Sequence, residues 1–184
     1  MNSIEKKFLQ KLIDKNKNEF YSDREYPLID NPFETSDLMS GISVLLKGKI
    51  TMSKITNNFE KKFAKYVGSK YALMVNSGSS ANLLAFFTLI NPKNKIKLQK
   101  NDECLIPSLC WSTSLWPIIQ AGLKPKFVDV DVETLNINLK DLKKKINKKT
   151  KALLAVHILG NSSNMQQLSN ICEKNKIILV EDTC

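Results

Sequence analysis

The chain has 184 residues, 42% of them hydrophobic, and a formal net charge of +10. That is enough apolar material for one domain with a real core, and no apolar run approaches the ~20 residues that a membrane span needs. Arg24 is the only Arg among the 28 basic residues; base readout and phosphate forks favour Arg, so the charge reads as a solvated Lys surface and argues against a nucleic-acid partner.

Ile4, Phe8, Leu9, Leu12 and Ile13 recur at helical spacing, which predicts an N-terminal helix or arm over residues 1–20. The start of the chain has no apolar leader run and no small-residue cleavage site. Residues 21–35 contain Pro27 and Pro32 and read as extended chain. A helix follows at 36–46, with Ser36 as its cap and Lys47-Gly48-Lys49 as its stop. Residues 50–55 read as a loop. An amphipathic helix at 57–67 then sets Phe59, Phe63 and Tyr66 on one face, closed by Gly68.

From residue 71 the pattern alternates. Strands are expected at 71–75, 103–106, 126–130, 152–157 and 177–180. Helices are expected at 80–90, 112–121, 139–146 and 165–175, and 91–100 is a surface loop. Such alternation predicts an α/β fold, a mostly parallel sheet with helices on both faces. The four Cys show no Cys-x-x-Cys spacing. Cys104, Cys110 and Cys172 sit in apolar or helical contexts and read as reduced small hydrophobes, which suggests a cytoplasmic protein.

The most informative stretch is Val75-Asn76-Ser77-Gly78-Ser79-Ser80-Ala81-Asn82. An apolar run that turns through small hydroxyl residues into a helix offers unpaired amides and a positive dipole end to an anion. It reads equally as a Ser-rich cap on a core helix. In parallel sheets ligands bind at the carboxyl ends of the strands. That rim collects Ser77-Gly78-Ser79, Trp111, His157 and Asp182. Together they suit a cofactor with a phosphate, a flat ring and a ring nitrogen. The nest takes the phosphate, Trp111 stacks on the ring, and Asp182 pairs with the protonated nitrogen. That cofactor is pyridoxal or pyridoxamine phosphate. His157 reads as a group that orients the Asp182 carboxylate, or as a structural His.

Five blocks carry a resemblance: 76–82 (Asn-Ser-Gly-Ser-Ser-Ala-Asn), 107–113 (Pro-Ser-Leu-Cys-Trp-Ser-Thr), 127–137, 156–161 (Val-His-Ile-Leu-Gly-Asn) and 181–184 (Glu-Asp-Thr-Cys). In order and spacing the chain from about Tyr26 onward resembles the sugar aminotransferase and dehydrase family of DegT/DnrJ/EryC/StrS type, which has the aspartate-aminotransferase fold (fold type I). The Trp-Ser-Thr and His-x-Leu-Gly-Asn blocks resemble its nucleotide-sugar 3-dehydrase branch, which includes CDP-4-keto-6-deoxyglucose 3-dehydrases.

The resemblance implies that 1–35 is a helix and extended arm and that 36–184 is a partial cofactor-binding large domain. It implies cofactor contacts from Gly78, Ser79, Ser80, Trp111 and Asp182, and nucleotide-sugar contacts from the loop holding Thr51, Met52 and Ser53; His157, by its place on the rim, is counted with the cofactor-binding residues. It sets Cys184 where some 3-dehydrases carry a ligand of an iron–sulfur cluster, and it admits a reductase partner. The family's decisive Lys, or the His that replaces it in dehydrases, falls after Cys184, as does the small domain, so the catalytic residue is not assigned. The expected activity is removal of the 3-hydroxyl from a nucleotide-linked 4-keto-6-deoxyhexose in lipopolysaccharide deoxysugar synthesis, by a homodimer. A sugar aminotransferase, or a truncated module that only binds, are the alternatives.

Overall fold

The structure, a computed structural model, describes residues 3–16, 33–48, 51, 53–95 and 97–183. The chain divides into two compact units, Met1–Met74 and Val75–Cys184. This division follows packing, whereas the boundary expected at 35/36 follows the end of the extended stretch ahead of the next helix. Most of the extended arm, 17–32, lies outside the described residues.

The N-terminal unit is helical. α1 (Ser3–Asn16) packs on α2 (Thr35–Leu46), and Thr35 Oγ1 donates to Asp14 Oδ1 at 3.2 Å. α2 starts one residue before the expected boundary: Glu34 is the cap, and its N–H donates to Asp37 Oδ2 at 2.9 Å. α3 (Lys54–Tyr66) starts earlier than expected because Ser53 caps it, accepting from the Ile55 N–H at 3.3 Å. Only Ala64 of α3 is buried. Phe59 and Phe63 stack with centroids 5.6 Å apart but stay exposed, as does Tyr66.

The strand expected at 71–75 does not form. A strand exists by pairing its backbone with a neighbour, and no described residue pairs with this run. The Met74 N–H instead donates to Glu60 Oε1 on α3 at 2.9 Å, and Tyr71 and Leu73 are exposed.

In the second unit the elements run α4 (Gly78–Leu89), β1 (Glu103–Pro107), α5 (Ser112–Gln120), β2 (Lys124–Val128), α6 (Leu139–Lys145), β3 (Thr150–Val156), α7 (Met165–Asn175) and β4 (Ile178–Asp182). All pairs are parallel, in the order β2-β1-β3-β4. The period-2 pleat sorts side chains to two faces. Cys104, Ile106, Leu154 and Val156 pack with Phe86 of α4 and Ile118 of α5. Leu105, Leu153 and Ala155 pack with Leu142 of α6 and Leu168 of α7 on the other face. Near-continuous apolar strands such as Thr150–Val156 follow from this two-sided burial. The chain leaves β1 for one edge and β3 for the other, so a crevice opens at the carboxyl ends of these two central strands.

Candidate functional site

α4 begins where Ser77 caps it. Ser77 Oγ accepts the Ser80 N–H at 3.2 Å and meets Ser80 Oγ at 3.2 Å, while the Ser77 carbonyl accepts from Ala81 at 3.0 Å. Ser80 thus takes part in the cap through its N–H and its Oγ. The amides of Gly78 and Ser79 belong to the first turn, which has no intrahelical partner to offer them. A side chain added at Gly78 would meet nothing within 4 Å, so the backbone of this turn is not crowded on its Cβ side. The dipole of this 12-residue helix adds positive potential there.

β4 ends on Asp182. The pleat sends Asp182 to the α4/α5 face, in register with Val156, and sends Glu181 to the other. Asp182 Oδ2 accepts from Asn82 Nδ2 on α4 and from Ser114 Oγ on α5, both at 2.8 Å. Asn82 is 8% exposed and Ser114 1%. Neither residue was singled out from the sequence. The signal was there: each lies one turn before a buried apolar residue, Phe86 and Ile118, and so on the core face of its helix.

Cys110, three residues beyond β1, feels the charge of the same carboxylate. Burial pushes its thiol above the usual cysteine value, and the negative charge of Asp182 pushes it further. Burial raises Cys104 to about 12, against a lowering backbone hydrogen bond at Leu154, and raises Cys172 to about 11; both are free thiols. Trp111 follows Cys110 and caps α5 with its backbone. Its indole is 75% exposed on the rim.

Of the two roles expected for His157, the hydrogen bonds match the structural one and not the orienting one. Its ring does not bond the Asp182 carboxylate; only its backbone N–H meets Asp182, at the carbonyl, at 3.0 Å. Nδ1 accepts the Ser163 N–H at 3.1 Å, which places the ring proton on Nε2, facing Glu181 Oε2 at 3.2 Å. The reason is parity. His157 follows Val156, the register partner of Asp182, so its side chain falls on the Glu181 side of the sheet. A groove of about 730 Å³ lined by Asn136, Lys140 and Asn164 also lies off this rim, beside α6 and α7. It contains none of Asn82, Ser114 and Asp182.

Of the residues expected to meet a nucleotide-sugar, Thr51 and Ser53 belong to the N-terminal unit, where Ser53 is the α3 cap. Met52 lies outside the described residues, as does Cys184. Among the described residues no group of three or more His, Cys, Asp or Glu gathers as a metal site, and no helix is long and apolar enough to cross a membrane.

Gly78 and Ser79 thus offer free amides and Asp182 offers an unneutralised carboxylate, with an exposed indole on the same rim. This donor set fits a phosphorylated, protonated heteroaromatic ring.

Residues 35–184 match the model of the DegT/DnrJ/EryC1/StrS aminotransferase family. Over 159 residues the chain is 43% identical to the GDP-4-keto-6-deoxy-D-mannose 3-dehydratase of Escherichia coli O55:H7, covering 86% of this chain and 41% of that protein. A solved structure of the E. coli enzyme with bound hydrated pyridoxal phosphate superposes with a TM-score of 0.80 at 43% identity, over 87% of this chain and 41% of that one. A mutant of GDP-4-keto-6-deoxymannose-3-dehydratase with bound GDP-perosamine gives the same TM-score, identity and coverage. The chain therefore spans about 40% of the length of these relatives.

Proposed function

Because the chain belongs to the DegT/DnrJ/EryC1/StrS aminotransferase family, we propose that its Val75–Cys184 unit supplies the cofactor site of a pyridoxal- or pyridoxamine-phosphate-dependent 3-dehydratase acting on a nucleotide-linked 4-keto-6-deoxyhexose. The observation that carries this reading is the Asp182 carboxylate. It stands at the end of β4 with two neutral donors on one oxygen and no Lys, Arg or His ion partner among the described residues.

Each residue has a task. Gly78 and Ser79 bind the phosphate through their amides, helped by the α4 dipole. Ser77 and Ser80 hold the turn that presents those amides. Trp111 covers one face of the ring and keeps water from it. Asp182 keeps the ring nitrogen protonated. So held, the cofactor supplies an electron sink for cleavage of a bond next to the sugar's keto carbon. His157 holds Glu181 and the 158–163 turn, and acts on the cofactor only through the placement of β4. Thr51, Met52 and Ser53 are assigned to the nucleotide-sugar by resemblance.

The similarity to 3-dehydratases favours dehydration over amine transfer. The full-length gene product, including whatever follows Cys184, is incubated with pyridoxal phosphate, glutamate and GDP-4-keto-6-deoxymannose, and the sugar product is read by mass spectrometry. Loss of the 3-hydroxyl is expected. A product that gains an amine and keeps that hydroxyl would make the protein an aminotransferase, and no product with glutamate present would favour a binding module.

The same reading takes a homodimer in which α1, with Ile4 and Phe8 exposed, is the contact arm. Removal of residues 1–20 should then shift the light-scattering mass to the monomer. By the resemblance of Cys184 alone it also admits an iron–sulfur cluster and a reductase partner, which an iron and labile-sulfide assay on purified protein tests.

A further inference from the structure

We infer that Asn82 and Ser114 are positioning residues that hold Asp182 with one oxygen, Oδ1, free for the ring nitrogen of the cofactor; the inference rests on the pyridoxal-phosphate reading above.

Both donors land on Oδ2. They come from separate helices, and they lie 100 and 68 residues from Asp182 along the chain. Two bonds to one oxygen fix the carboxylate's place and its rotation. Oδ1 receives no hydrogen bond from any described residue. Both donors are neutral, an amide and a hydroxyl, so they orient the anion without cancelling its charge. A cation in their place would neutralise the very group that has to hold a proton on the ring.

The two residues also sit where packing alone would not put them. Asn82 and Ser114 occupy the core faces of α4 and α5, against a cluster built from Phe86, Ile106, Ile118 and Val156. A buried polar side chain there is unfavourable unless it is bonded. The side-chain partner each one has is Asp182. Asn82 further lies one turn, about 6 Å along the axis, from Gly78. One face of α4 thereby carries both the phosphate amide and the holder of the carboxylate.

A purely structural role, tying α4 and α5 to β4, predicts a different outcome from a positioning role. The test compares binding of pyridoxal phosphate with binding of its 1-deaza analogue, in which CH replaces the ring nitrogen, to the purified protein by equilibrium dialysis. The wild type is expected to prefer pyridoxal phosphate by about tenfold or more, the scale of one hydrogen bond to a charged group. In N82L/S114A the preference should shrink to within about twofold, while affinity for the analogue, which reports the phosphate amides, stays within about threefold of wild type. Ser114→Thr, which keeps the hydroxyl, should keep the preference. If N82L/S114A does not fold, Ser114→Ala alone decides, with an expected loss of about threefold in preference. A preference that survives these changes, or equal weakening of both ligands, overturns the inference and leaves the cofactor site standing. A wild type that binds neither ligand overturns the underlying reading, and the inference with it.

Discussion

Replacing Asp182 by Asn removes the negative charge that Cys110 feels while keeping an oxygen for Asn82 and Ser114. The sign of the effect on the thiol follows directly. A nearby anion disfavours the thiolate and raises the thiol's pKa, so its removal lowers that pKa and raises the thiolate fraction at any pH below it. Iodoacetamide should therefore alkylate Cys110 faster in Asp182→Asn at pH 8, as read by peptide mass spectrometry. Cys104 and Cys172, raised by burial, should keep their rates. Turnover should fall by about 10²-fold, because a neutral amide cannot hold the ring's proton. Asp129→Asn is the control: Asp129 Oδ1 accepts its neighbour Val130's N–H at 2.9 Å, an acceptor that Asn retains, and turnover should stay. Unchanged alkylation of Cys110 in Asp182→Asn would mean that the carboxylate's charge does not act on the thiol. At this scale the sequence showed Asp182 and missed its holders. A one-residue parity decides which face of a strand a side chain takes, and the sequence does not mark the register that sends His157 to Glu181 rather than to Asp182.

The α4 turn separates stability from binding. Gly78 has no positive φ, and a methyl there meets nothing within 4 Å. Gly78→Ala should therefore leave the urea midpoint unchanged or slightly higher, with a stability change within about 1 kcal/mol. On the proposed reading the phosphate approaches this backbone closely and an added methyl crowds it, so pyridoxal phosphate affinity should fall about tenfold or more. A variant as stable and as tight-binding as wild type would remove the phosphate from this turn. The elements of the second unit were legible because their apolar periods are strong: α7 matches 165–175 residue for residue, and β1 to β4 fall within two residues of expectation. Two things were not legible. Residues 71–75 have the composition of a strand, but a strand needs a partner, and composition does not supply one. The turn after β3 is a short 3-10 segment, Ile158–Gly160, with Leu159 at φ 53 and Gly160 at φ 74. Gly160 hints at the left-handed backbone, and nothing about Leu159 does.

For the whole molecule, the two units differ in how they bury their apolar residues. Val75–Cys184 closes a core on both faces of its sheet. Met1–Met74 leaves Phe8, Phe59, Phe63 and Tyr66 exposed, apolar surface of the kind that assembly covers. The period of those residues showed the helices, but not what they pack against, because amphipathicity names a face and not its partner. The family was legible in five short blocks, and the sheet rim was legible from the alternation of strands and helices; the first turn of α4 and Asp182 are the proposed cofactor contacts. A crystal structure of the protein with pyridoxal phosphate tests the central claim most directly. The phosphate should lie within hydrogen-bond reach of the Gly78 and Ser79 amides, and the ring nitrogen about 2.7–2.9 Å from Asp182 Oδ1. Pyridoxal phosphate seated away from the α4 turn, or a ring whose nitrogen faces any group other than Asp182, would contradict the account.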